Sequence, residues 1–113
     1  MNERMCLICS PYGGDDKNIL LARRFMKLAA ARGLAPFASH VMMHGVLDDH
    51  IEAERALGCF VGMEIMKICG VVWMCGNSQT WGMRQEEIMA KLLKIPIEFI
   101  SLDELLEWEQ NSL

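Results

Sequence analysis

The sequence predicts a compact α/β domain in which helices cover both faces of a parallel sheet, a three-layer arrangement of the Rossmann-like or flavodoxin-like type. Two observations support this prediction. Short apolar runs alternate along the chain with longer segments whose apolar residues recur at helical spacing. The segments between them hold glycine, proline or N-capping residues, which end strands and begin helices. Alternating strands and helices form parallel sheets with a helical layer on each side.

Local signals divide the chain into predicted strands and helices. Pro11 follows the first apolar run, Gly33 follows the first helical pattern, and Ser101 has the pattern of an N-cap for the last helix. In order, we expect a strand at 4–10, a helix from Asp15 or Asp16 to about Arg32, a strand at 34–39 that contains Pro36, a loop at 40–46, a helix from Asp48 or Asp49 to about Cys69, a strand at 70–75, a helix that contains Glu86 and ends before Pro96, a strand at 97–100, and a helix at 103–111.

The length and charge of the chain limit its function. The 113 residues suffice for a single domain with one core, spanning 1–113. With 11 basic and 15 acidic residues the net charge is −4, so we expect no nucleic-acid polymer as a partner. No apolar run approaches the ~20 residues of a membrane span, and the N-terminus lacks the pattern of a signal peptide. We therefore expect a cytoplasmic protein without membrane contact.

Neither the cysteines nor the histidines predict a metal site. The five cysteines show no zinc-binding spacing, and their odd number indicates a reducing compartment. Cys6 and Cys9 have the spacing of a redox motif, but alternation would place them on opposite faces of the first strand, whereas a redox pair belongs at a helix N-terminus. His40 and His44 match no metal motif, so we expect loop and cap roles for them. We expect neither a metal nor a cofactor.

The helix predicted in the middle of the chain has an unusual composition. Apolar residues surround nearly all of it from Ile51 to Ile68, and only five charged residues interrupt them. A helix that is apolar on most sides must be buried on most sides. In a four-stranded domain one side of this helix has nothing to pack against. We therefore expect a homo-oligomer, a dimer or larger, with this helix at the subunit interface.

A glutamate after the third strand is the main candidate for chemistry. Glu86 shares a helical stripe with Gly82 and Ala90, which are small, whereas Glu87 forms a favourable i,i+4 pair with Lys91. We expect Glu86 to face inward, at the edge of the sheet where strands end and ligands bind in open α/β folds. The alternative is an acid that only complements the dipole of the helix.

Several short motifs occur in the order seen in a known group of proteins. They are Cys9-Ser10-Pro11-Tyr12-Gly13-Gly14-Asp15, Leu47-Asp48-Asp49, Gly62-Met63-Glu64, Cys69-Gly70-Val71-Val72-Trp73-Met74-Cys75-Gly76 and Gly82-x-x-x-Glu86. Over residues 4–100 the chain resembles the small bacterial and phage proteins placed near the nucleoside 2-deoxyribosyltransferases. The Gly-x-x-x-Glu element is short, and its place between an apolar strand and a helix makes it moderately specific.

The resemblance implies an N-glycosidase or a deoxyribosyltransferase-like enzyme that acts on a nucleoside or nucleotide. In that superfamily the glutamate of this element attacks C1′ of deoxyribose and expels the base, a role that falls on Glu86. A carboxylate suits the reaction because the transition state resembles an oxocarbenium ion. The turn after the first strand corresponds to the segment that approaches the sugar or phosphate, here Ser10, Tyr12, Gly13, Gly14 and Asp15.

Two departures from the superfamily pattern bear on substrate and activity. Thr80 stands where nucleoside-specific members carry an aspartate, and where the related hydrolases of deoxynucleoside 5′-monophosphates have a hydroxyl residue that contacts phosphate. A nucleotide therefore fits this chain better than a nucleoside. Gly62 and Gly70 stand where the superfamily usually has two acids. Their loss favours an alternative function, a non-catalytic module that senses or sequesters a nucleotide.

Several candidate residues keep two interpretations. Thr80 and Ser78 either cap a helix or bind phosphate. Trp81, beside Gly82, either stacks on a base or packs in the protein, and Tyr12 either contacts a sugar or covers the glycine turn, which itself is either a plain turn or a ligand contact. A third function, a structural subunit of a larger assembly, follows from the apolar middle helix.

Overall fold

The computed structural model describes residues 2–112, which form four strands and five helices. The elements are β1 (Asn2–Cys9), α1 (Asp16–Ala31), β2 (Ala35–Phe37), α2 (Ser39–Met43), α3 (Glu52–Met66), β3 (Cys69–Cys75), α4 (Trp81–Leu92), β4 (Ile97–Ile100) and α5 (Leu102–Asn111). No helix in this part of the chain is both long and apolar enough to cross a membrane.

The strands form one parallel sheet in the order β2-β1-β3-β4. The two central strands, β1 and β3, pair from Cys6 opposite Val71 to Cys9 opposite Met74. Every residue from Val71 to Cys75 is buried. A parallel strand covered on both faces is expected to be apolar without alternation, as the sequence of β3 is. The predicted parallel α/β fold is confirmed.

Two hydrophobic layers lie on opposite faces of the sheet. On one face, Phe25 and Leu28 of α1 and Leu105 of α5 pack against the strands. On the other face, residues of α3 and α4 do so, among them Met66 and Met83. Cys6 belongs to the first layer and Cys9 to the second, as alternation predicts. The three-layer arrangement is therefore confirmed as well.

The helix starts follow the capping signals of the sequence. Asp15 caps α1 by accepting a hydrogen bond from the Lys17 amide at 2.8 Å. Thr80 caps α4 through the Met83 amide at 3.2 Å. Ser101 caps α5 by accepting a hydrogen bond from the Glu104 amide at 3.0 Å. These caps satisfy amides that have no acceptor within their own helix.

The prediction of a loop at 40–46 is wrong in its first part, because Ser39–Met43 forms the short helix α2. The Met42 amide donates to the Ala38 carbonyl at 3.1 Å, and Gly45, with φ 83°, follows the end of the helix. Five residues are too few to show a helical repeat in the sequence. This helix matters because His40 lies within it and His44 caps its C-terminal end, which brings both predicted loop histidines together.

The middle helix α3 is shorter than predicted at both ends. Before it, the Asp48 carboxylate accepts a hydrogen bond from the His50 amide at 2.9 Å, which holds this segment in a turn until Glu52. After Met66 the chain turns directly into β3, which already includes Cys69. The predicted second strand is also shorter, at Ala35–Phe37.

One side of α3 is exposed in the single chain. Within the helix only Gly62 and Met66 are buried, while Leu57 and Phe60 are 53% and 60% exposed. A side of this helix without a partner in one chain is what the sequence analysis predicted. Its burial in a homo-oligomer stays a prediction.

Candidate functional site

A cavity of about 660 Å³ opens at the carboxyl ends of the two central strands. The strand order places the connections after β1 and β3 on opposite sides of this point, because β2 lies beyond β1 and β4 lies beyond β3. Such a divergence leaves a crevice, which is where open α/β sheets bind ligands. The floor comes from the end of β1, one wall from α4, and the facing wall from α2 and α3.

Glu86 lines this cavity from the first turns of α4. It is half-buried, and its carboxyl group lies near the Cys9 thiol at the end of β1. Burial raises the pKa of Glu86 from 4.5 to about 7, and the interaction with the Cys9 side chain acts in the opposite direction. Burial also raises the pKa of Cys9, and the nearby carboxylate adds to this rise. The Cys9 thiol therefore stays protonated.

The neighbouring Glu87 has a different environment. Its carboxylate lies 2.9 Å from the Lys91 ammonium and accepts a hydrogen bond from Gln79 at 2.9 Å. These two partners, Lys91 first, lower the pKa of Glu87. The predicted pair of Glu87 and Lys91 is confirmed. Two adjacent glutamates thus have pKa values shifted in opposite directions, and only Glu86 is among the residues that line the cavity.

Because the pKa of Glu86 is raised, the stability of the protein should depend on pH. Between pH 4.5 and about pH 7 the folded protein binds the Glu86 proton more tightly than the unfolded chain does. The contribution of protonated Glu86 to the free energy of unfolding is therefore lost as the pH rises through that window. Glu86→Gln, which stays neutral, should be more stable than the wild type at alkaline pH by on the order of 3 kcal/mol. Near pH 4, below both pKa values, the two proteins should have similar free energies of unfolding, as measured by urea titration.

The control for this stability prediction is Glu87→Gln. The substitution removes an ion pair and a lowered pKa, so it should bring no gain in stability at alkaline pH. A gain from Glu86→Gln that is equal at both pH values would contradict the burial of an ionisable carboxyl group.

Tyr12 is held at the edge of the cavity by contacts with α2 and α1. Its ring stacks on His40 with centroids 5.1 Å apart and planes at 11°. Its hydroxyl oxygen lies 2.9 Å from His44 Nδ1, and His44 Nε2 lies 2.7 Å from the Asp16 carboxylate. Asn18 also bonds the Tyr12 carbonyl. Ring and backbone of Tyr12 are thus fixed from two helices, so it presents a rigid wall to a ligand.

The sequence missed the role of His40 and His44. A signal was available, because residues four apart share one face of a helix, but the helix itself was not predicted. His40 lines the cavity, and burial lowers its pKa against the opposing effects of the Ser10 backbone and of Asp49. His40 is therefore neutral at neutral pH.

Most, but not all, of the predicted substrate-binding residues line the cavity. Those that do are Ser10, Tyr12, Gly13, Thr80, Trp81 and Gly82. Gly14 faces away from it, toward His50, and Asp15 is occupied as the cap of α1. Ser78 is not among the lining residues. Gly13 and Gly14 both have positive φ, at 58° and 75°, so this turn requires glycine conformations.

The α3 wall of the cavity was not predicted. Arg55 provides the positive charge of the lining, while Asp49 and Glu54 add negative charge to that of Glu86. Much of the remaining wall is apolar and includes methionine side chains, which adapt to irregular ligands. Within residues 2–112 no three His, Cys, Asp or Glu side chains are grouped as metal ligands would be.

Comparison with known proteins places the chain in a family without assigning a reaction. A profile described as a domain of unknown function, DUF7768, matches residues 4–100. The chain belongs to this family. No curated protein matches the sequence significantly.

Proposed function

We propose that the cavity binds a nucleoside or nucleotide and that Glu86 cleaves its N-glycosidic bond. The observation that carries the proposal is the carboxyl group of Glu86 in a mostly apolar cavity, beside a protonated thiol and without a salt bridge to any Lys, Arg or His of the described residues. A carboxylate in such a site stabilises a cationic transition state more strongly than one in water. The resemblance to nucleoside 2-deoxyribosyltransferases supports the same role.

The proposed reaction uses one water per base released. An oxygen of the Glu86 carboxylate forms a bond to C1′ as the C1′–N bond breaks. The electron pair of that bond leaves with the base, which takes a proton from water. The hydroxyl of the water then adds to C1′ and restores the carboxylate. In a transferase reaction a second base takes the place of the water.

The remaining walls suit the other parts of such a substrate. The ring of Trp81 is 74% exposed at the edge of the cavity, so it is free to stack on a base and does not act as core packing. The Met83 amide is taken by the Thr80 cap, which leaves the amides of Trp81 and Gly82, without acceptors within the helix, to bind a phosphate group. Arg55 is the one Lys or Arg among the described residues that line the cavity.

The test is an assay of base release from a panel of ribo- and deoxyribonucleosides and their 5′-monophosphates, separated by chromatography. We expect free base from at least one compound. If the α4 amides bind phosphate, the nucleotides should react faster than the nucleosides. Release from none of them at enzyme concentrations in the micromolar range would overturn the proposed activity.

One observation favours a second candidate function, a non-catalytic nucleotide-binding module. Gly62 and Gly70 replace acids that the transferase superfamily usually has, and neither position offers room for a side chain without displacing its neighbours. A thermal-shift screen with the same panel separates the two functions. Stabilisation by a ligand without any turnover would support binding alone.

A further inference from the structure

Two polar groups in the cavity are buried without a hydrogen-bond partner in the protein. They are the hydroxyl group of Ser10 and Nε2 of His40. Ser10 is only 1% exposed, and both residues line the cavity. Buried polar groups are nearly always paired, because an unpaired one costs stability. Two of them on one cavity surface indicate a place built for a polar group of a ligand.

The two groups are neighbours and have complementary chemistry. The Ser10 backbone lies beside the His40 ring and raises its pKa against the effect of burial, so the serine on the floor and the histidine on the α2 wall are neighbours in the cavity. A serine hydroxyl donates one hydrogen bond and accepts others, and a neutral imidazole has one donor and one acceptor nitrogen. A ligand hydroxyl, which donates and accepts at the same atom, satisfies such a pair.

The position of Ser10 and His40 relative to Glu86 indicates which part of the ligand they contact. Ser10 and Glu86 line the same cavity, and Cys9, the residue before Ser10, lies near the Glu86 carboxyl group. In a displacement at C1′ the base leaves on the side of the sugar opposite to the attacking oxygen. Groups beside Glu86 therefore face the sugar, and the base lies farther out.

We propose that Ser10 and His40 bind a hydroxyl group of the sugar and so determine which sugar the site accepts. This inference rests on the proposed function and names its specificity. His40 is held for this role by its stack on Tyr12, which in turn is tied to His44. Replacing the hydroxyl by hydrogen would leave both protein groups unpaired again, and sites of this kind discriminate strongly against the analogue that lacks the group.

The test measures binding of matched nucleosides by calorimetry. For a base that the wild type binds, the ribonucleoside is compared with its 2′-deoxy and 3′-deoxy analogues. We expect the loss of one of these hydroxyl groups to weaken binding to the wild type about 10- to 100-fold. In Ser10→Ala, and in His40→Phe, which keeps an aromatic ring to stack on Tyr12, this ratio should fall to within about 2-fold.

A second measurement protects the test against misfolded variants. Because the Ser10 hydroxyl has no partner in the ligand-free protein, Ser10→Ala should keep or raise the Tm, whereas removal of a structural hydrogen bond would lower it. Ser112→Ala, which removes a hydroxyl bonded to the Trp108 carbonyl at the other end of the chain, is the matched control and should leave the discrimination unchanged.

Three outcomes decide the matter. Equal binding of all three nucleosides to the wild type, or undiminished discrimination in both variants, would overturn this inference and leave the proposed function intact. A Tm that falls in Ser10→Ala together with unchanged discrimination would assign the serine a structural role. If the wild type binds no nucleoside or nucleotide at all, the proposed function fails and the inference falls with it.

Discussion

Glu86→Gln should lower the rate of base release by at least about 10³-fold, because glutamine keeps the size and burial of the side chain but provides no charge to trap or stabilise a cation at C1′. Substrate binding, measured by calorimetry, should change far less than kcat. The loss should therefore appear in kcat and kcat/KM together, as it does when an interaction exists only in the transition state.

Glu87→Gln is the matched control for this prediction. The same chemical change, one residue along α4, removes the pair with Lys91 and should leave the rate within about 3-fold of the wild type, as a partly exposed ion pair contributes little. Equal losses in both variants would point to damage of the helix instead of a reacting group.

The pH profile of the same assay tests the charge state. A nucleophile must be ionised, so kcat/KM should rise with pH through about 7, the pKa to which burial raises Glu86. A rate that falls through this range would instead assign Glu86 the part of a general acid.

Gly70→Ala should destabilise the fold by about 2–3 kcal/mol, the usual cost of forcing extra volume into a packed site. A Cβ at this position would lie 2.5 Å from the Glu3 Cα and 2.6 Å from the Asn2 carbonyl oxygen. Both atoms are backbone of the adjacent β1, so they cannot move aside as a flexible side chain does. Urea unfolding at neutral pH measures the loss.

Gly58→Ala provides the comparison for this prediction. Gly58 lies inside α3, where the nearest atom to an added Cβ is Leu47 Cδ1 at an ordinary contact distance of 3.9 Å. Alanine is the better helix former, so this variant should gain about 0.5–1 kcal/mol. If Gly70→Ala were as stable as Gly58→Ala, the close approach of β3 to β1 would be disproved.

The Gly70 contact also bears on the resemblance to transferases. Replacing Gly70 by an acid would not restore the superfamily pattern, because the backbone of β1 occupies the space that any side chain would need. If the chain is an enzyme, other residues of the cavity must provide the carboxylate that the superfamily usually has at this position. Asp49 and Glu54 are the carboxylates available there besides Glu86.

Local patterns predicted much of this architecture. The helical stripe placed Glu86 on the same side as Ala90, which is buried, and the i,i+4 pair placed Glu87 beside Lys91. Capping residues located the starts of α1, α4 and α5, but not those of α2 and α3. These signals depend on neighbours within a few residues, so the sequence contains them directly.

Contacts between distant segments could not be predicted in this way. Tyr12 meets His40 and His44 across about thirty positions of the chain, and a five-residue helix without a repeat of its own positions both histidines. The α3 wall was missed for a related reason. Its composition indicated burial, whereas the single chain leaves Phe60 exposed and turns Arg55 toward the cavity region.

The three tryptophans differ in their surroundings, which gives the protein a built-in optical reporter. Trp73 is 1% exposed in the core, Trp108 packs partly buried against the α1 side of the sheet, and only Trp81 has a ring largely in water at the rim of the cavity. A base that stacks on that ring would quench its fluorescence and leave the emission of the other two unchanged. Titration of the unlabelled protein therefore follows occupancy of the cavity, and a Trp81→Phe protein supplies the baseline.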